Sequence, residues 1–153
     1  MQAGKRAGRI VVGVDGSPSS DEALRWAMRQ AALTGASVDA VTAWEYPASL
    51  GGFGMAPVGM SDDFDFSKYA DQTVAEAVSR VSEPAVSGVT VRQRTAEGNA
   101  ASVLLEAADG ADLLVVGSRG HGGFASALLG SVSQHCVHHS ACPVVIIRGT
   151  GKG

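Results

Sequence analysis

Between Val116 and Val132 the chain reads Gly-Ser-Arg-Gly-His-Gly-Gly-Phe-Ala-Ser-Ala-Leu-Leu-Gly-Ser, with glycines at 117, 120 and 130 and a serine at 131. Glycines let a backbone approach phosphate oxygens closely, and N–H groups at a helix start point the positive end of the helix dipole at negative charge. Gly130-Ser131, opening a helix, supplies free N–H groups and one hydroxyl donor. The segment is not a Walker loop, because no Gly-Lys-Ser/Thr follows, and not a Rossmann fingerprint, because it lies after the fourth strand instead of the first. Its bland alternative is an ordinary flexible connection. A second candidate is Asp15, in Asp15-Gly-Ser-Pro18. It is either a turn residue capping its own backbone or a carboxylate facing a ligand or metal. His135, Cys136, His138 and His139 form a third group. On a helix His135 and His139 share a face while the other two point elsewhere, and a zinc site wants further ligands at defined spacing. A polar helix face beside a small buried cysteine is the reading taken.

These residues must be positioned by strands and helices. Ile10–Val14 is an apolar run without alternation, as in a strand covered on both faces. Ser19-Ser-Asp-Glu22 fits a capping box, and Ala23, Leu24, Ala27, Met28 and Ala31 continue at helical spacing to a stop at Gly35. Val38–Trp44 is the second strand, which makes the first unit a βαβ crossover. Residues 45–66 hold four glycines and two prolines and predict a long loop, one that lies on a ligand or on the protein's own surface. Helical spacing returns at Ala70, Val74, Ala77, Val78 and Val81, before Pro84. Val89–Thr95 alternates like a strand near a sheet edge, Asn99 caps a short helix closed by Gly110, and Ala111–Val116 is another buried strand. A helix over about 132–140 and a strand over Pro143–Ile147 complete an open, doubly wound α/β sheet in a single domain. Trp26 and Trp44 read as packing residues.

The 153 residues are 45% hydrophobic and only 5% aromatic, so Val, Leu, Ile and Ala must build the core. Twelve basic and fifteen acidic residues give a formal charge of −3 with no strongly basic stretch, which argues against nucleic acid as a partner. No apolar run is long enough for a membrane helix, and Met1–Arg9 is not followed by the apolar core of a secretion signal. Cys136 and Cys142 do not make a disulfide framework and read as reduced thiols of a cytoplasmic protein.

The spacing G-x2-G-x9-G-S over 117–131 resembles the nucleotide-binding motif of the ATP-binding universal stress proteins. The opening Ile10-Val-Val-Gly-Val-Asp-Gly-Ser17, the run Ala111–Gly117 and the closing Cys142-Pro-Val-Val are similar to that family too, so the likeness covers about residues 9–148. The resemblance implies a five-stranded parallel sheet of order 3-2-1-4-5, of the adenine nucleotide alpha-hydrolase type, which puts strands one and four side by side. It also implies ATP with Mg²⁺ as ligand. Asp15 would sit near ribose and phosphates and help hold Mg²⁺. Ala43, where the family more often has Val, would offer a backbone contact to adenine. Gly117 and Gly120 would lie against ribose and phosphates, and Gly130, Ser131 and Val132 would give donors to the phosphates. It further implies a homodimer paired through the last strand, Val144–Ile147, an apolar edge that natural proteins cover or pair.

Three functional classes follow: a nucleotide-dependent regulatory protein, a slow ATP hydrolase of the same fold, and a nucleotide-free dimeric interaction module. Hydrolysis needs a positioned water, a base and charge stabilisation at the γ-phosphate. Asp15, Arg119 and His121 are the only obvious candidates, so binding without turnover is the expectation. The intact glycines argue against the nucleotide-free class.

Overall fold

The computed structural model describes residues 8–45, 65–118 and 131–148. Among these, five strands form one parallel sheet: β1 (Arg9–Gly13), β2 (Ser37–Trp44), β3 (Val91–Glu97), β4 (Leu113–Gly117) and β5 (Val144–Ile147). Their order is β3-β2-β1-β4-β5, as expected. The helices are α1 (Pro18–Thr34), α2 (Phe66–Val81), α3 (Ala100–Ala107) and α4 (Ser131–His139).

Alternate residues of the central strands feed two cores. Ile10, Val12, Val38, Ala40 and Val115 meet the buried stripe of α1 (Ala23, Leu24, Ala27, Met28, Ala31) and Val74, Ala77 and Val81 of α2. Val11, Val41, Leu114 and Val116 meet Val103 and Leu104 of α3 and Cys136 of α4 on the other face. This two-sided cover is why β1 and β4 read as unbroken apolar runs.

The start of α1 differs from the capping box expected at Ser19. Ser17 is the cap, its side chain accepting from the Ser20 N–H at 3.2 Å, and Glu22 pairs instead with Arg25 at 2.9 Å. Pro18 decides this: it has no N–H to leave unsatisfied and its fixed φ suits the first helical position, so the helix begins one residue before Ser19. Gly35 ends α1 with φ +81°, its N–H reaching Ala31 O at 2.8 Å. β3 lies two residues later than expected because Pro84–Val86 forms a 3₁₀ turn and Val89 N bonds Val86 O in its wake. β4 likewise begins at Leu113, not Ala111, whose N–H closes a turn onto Ala108 O at 2.9 Å.

Candidate nucleotide site at the carboxyl ends of the strands

β1 and β4 are in register through Val12 and Val115, and β1 and β2 through Gly13 and Val41. Asp15, Gly117 and Ala43 therefore all emerge at the carboxyl edge of the sheet, where an open α/β fold binds ligands. The tip of β1 is tied to β2 twice: Val14 N donates to Val41 O at 2.8 Å and the Thr42 hydroxyl donates to Val14 O at 2.9 Å.

Asp15 is exposed at this tip. Its Oδ1 accepts from Ser17 N at 2.9 Å and its own N–H donates to Ser20 Oγ at 3.2 Å. The turn role is thus realised: the carboxylate braces the bend into α1, with Gly16 at φ +84° completing it. That brace leaves the carboxylate at the mouth of the edge, a position compatible with a cation held between it and phosphates.

Gly117 has two structural duties. Its carbonyl accepts the Ser133 hydroxyl at 2.6 Å, which pins the first turn of α4 onto the end of β4. A Cβ at 117 would overlap Ser19 Oγ and lie 2.8 Å from Ser19 O and 2.9 Å from its carbonyl carbon. The glycine is required by the approach of α1 to β4, a cause separate from any ligand. Ser131, exposed, opens α4, and Val132 follows half-buried. Val132 and Ala43 border the same apolar cluster on the α3/α4 face. The structure thus gathers Asp15, Ala43, Gly117, Ser131 and Val132 at one edge. Gly120 and Gly130, with Arg119 and His121, lie outside the described residues, as does most of the expected loop, residues 46–64.

The His/Cys group resolves as a helix surface. His135 and His139 stack at 4.5 Å between ring centroids on an exposed face, whereas Cys136 is fully buried. Burial pushes the Cys136 thiol above its ordinary value. Among the described residues no group of three His, Cys, Asp or Glu side chains is placed to hold a metal.

The sequence profile of the Universal stress protein family matches residues 7–148. The chain belongs to the universal stress protein family. A universal stress protein of Mycolicibacterium smegmatis is 33% identical over 147 residues, covering 92% of this chain and 48% of the relative. The chain spans about half the length of the curated relatives it matches. A universal stress protein solved in complex with cAMP superposes with a TM-score of 0.60 at 28% identity, covering 95% of this chain and all of that one. UspA from Lactobacillus plantarum, at 20% identity and a TM-score of 0.69 over 94% of this chain and 99% of its own, shares the fold.

Two features of this universal stress protein escaped the sequence reading. Ser133, the anchor of α4, looked like any helical serine. Asp39 is 1% exposed within β2 and holds three arginines. Its signal was a lone carboxylate inside an apolar run, opposite the alternating pair Arg92 and Arg94.

Proposed function

We propose that this chain binds an adenine nucleotide, ATP with Mg²⁺, and acts as a regulatory protein whose shape or partners follow the bound ligand. The observation that carries this reading is the pinning of the α4 N-terminus to the tip of β4 by the Ser133–Gly117 bond, beside exposed Asp15. It fixes a set of helix N–H donors and the Ser131 hydroxyl at the edge where the sheet receives ligands. The residues present fit the group: Ser131 and the α4 N–H groups suit phosphates, Asp15 suits Mg²⁺, and the apolar border of Ala43 and Val132 suits a base. Mg²⁺ supplies charge neutralisation of the phosphates when bound.

Turnover is not the proposed role, because Asp15 Oδ1 already braces Ser17 and is poorly placed to serve as a base as well. The cAMP-bound relative favours a second reading, in which an adenine mononucleotide is the ligand. The chain is further proposed to form a homodimer through β5. Val144–Ile147 is half-buried at every position although, among the described residues, β5 pairs only with β4. We assign it to the cytoplasm, which keeps thiols such as those of Cys136 and Cys142 reduced. Among the described residues no helix is long and apolar enough to cross a membrane.

Acid extraction of freshly purified protein followed by mass identification of the nucleotide, with calorimetric titration of Mg-ATP, ATP alone and cAMP, tests the reading. Saturable Mg-ATP binding is expected. Preference for cAMP selects the mononucleotide, and no binding of any of the three overturns the proposal.

A further inference from the structure

On the α3/α4 face of the sheet, a basin of about 630 Å³ opens far from the carboxyl edge. It is lined by Arg9, Asp39, Arg92, Arg94, Glu106 and Asp109 among others. β1 contributes Arg9 from its first residue, and β2 contributes Asp39 near its start, so the basin lies toward the amino ends of the strands.

Asp39 organises it. Its Oδ1 accepts from Arg92 Nε at 3.0 Å, and its Oδ2 accepts from Arg9 Nη1 at 3.2 Å and Arg94 Nη1 at 3.3 Å. At 1% exposure this carboxylate takes no ligand itself; it holds guanidiniums in place. Arg9 acts as a brace through three hydrogen bonds, since beside Asp39 it also donates to Ala107 O at 2.9 Å and Asp109 O at 2.8 Å, and its side chain is the least exposed of the three. Arg92 and Arg94 differ. Each uses one N–H on Asp39, each side chain is more than half exposed, and a guanidinium carries five N–H donors. Two neighbouring forks fixed by a buried carboxylate are a preorganised oxyanion receptor.

The charge balance narrows the ligand. The basin carries three guanidiniums, but the buried carboxylate and the Glu106 and Asp109 carboxylates offset them. Glu106 lies in the last turn of α3 and Asp109 just beyond its C-cap, Ala108, where the helix dipole is negative. A bare anion therefore gains little net attraction, whereas a molecule with an oxyanion at one end and an ammonium at the other meets a cationic β3 wall and an anionic α3 wall.

We propose that this basin is a second ligand site, separate from the glycine edge, for a small zwitterion whose phosphate or carboxylate lies on Arg92 and Arg94 and whose ammonium faces Glu106 and Asp109.

The test is a heteronuclear NMR titration of the full chain at low salt. Phosphoethanolamine is compared with its halves, inorganic phosphate and ethanolamine, and glycine with acetate, so that the phosphate and carboxylate sources are separated. Saturable shifts of the backbone N–H groups of 92–94 and 106–109 are expected, with at least one zwitterion bound roughly tenfold tighter than its anionic half. Arg92→Gln/Arg94→Gln should abolish these shifts while circular dichroism stays unchanged, because both side chains stand largely in solvent and Arg9 still pairs Asp39. Glu106→Gln should remove the advantage of the zwitterion over its anion. Equal binding of zwitterion and anion, shifts that survive the double variant, or no saturable shift with any probe would overturn the proposal. Mg-ATP titrated into the double variant reports on the glycine edge independently, so failure of one site is read apart from failure of the other.

Discussion

Gly117→Ala separates packing from ligand approach as the reason for the glycine at the tip of β4. The added Cβ would overlap Ser19 Oγ, but rotating that hydroxyl does not clear it, because Ser19 O at 2.8 Å and its carbonyl carbon at 2.9 Å are backbone. The first turn of α1 must therefore move, taking with it the Ser17 cap and the Asp15 brace. Overpacking of this kind costs about 1–3 kcal/mol, a fall in Tm of roughly 2–12 °C for a domain of this size. Gly13→Ala is the internal control. Its Cβ would meet Leu104 Cδ1 at 2.7 Å, the far end of a flexible side chain, so it should cost less. Thermal and urea unfolding of both variants, with Mg-ATP titration of each, is the assay. Gly117→Ala is expected to lose stability and to weaken nucleotide together, since the edge itself is displaced. A Gly117→Ala protein as stable as wild type would refute the packing argument. Were it also unable to bind nucleotide, the glycine would serve the ligand alone.

Ser131→Ala removes one hydroxyl donor while leaving the α4 N–H groups, so Mg-ATP affinity measured by calorimetry should fall roughly ten- to a hundredfold with the fold intact. Val145→Lys with Ile147→Lys places charges on β5 side chains that pack toward the α1 face, and sedimentation should show monomer or precipitate where wild type shows dimer. Wild type sedimenting as a monomer at micromolar concentration would end the β5 pairing. Of the two thiols, Cys142 should alkylate readily at neutral pH, while Cys136, buried with its thiol pushed up by desolvation, reacts only on unfolding, as mass spectrometry of the labelled protein would reveal. The linkage has a definite sign. Because the folded Cys136 thiol ionises above its ordinary value of 9.0, its contribution is full below that pH and is lost as pH rises toward the folded value. Cys136→Ala should flatten this alkaline fall in urea midpoints.

Local chemistry determined most of the fold. Ile10–Val14 and the run ending at Val116, short, rich in β-branched residues and followed by turn residues, read as strands covered on both faces, and α1 was written in the spacing of Ala23, Leu24, Ala27, Met28 and Ala31. Strand order came from the family likeness carried by Asp15-Gly-Ser and the spaced glycines, and pairing through Val12 and Val115 agrees with it. What the sequence could not determine was set by contacts between residues far apart in the chain. The approach of Ser19 to Gly117 and the Ser133–Gly117 bond depend on how α1 and α4 seat on the sheet. The same holds for Asp39. A carboxylate in a β2 run otherwise fit for the core is tolerable because folding brings cationic partners to it from two neighbouring strands, Arg9 and the pair Arg92 and Arg94, and burial with none of them would cost several kcal/mol. Periodicity reports which face a residue occupies; only the pairing of β1 and β3 with β2 decides which charges meet there.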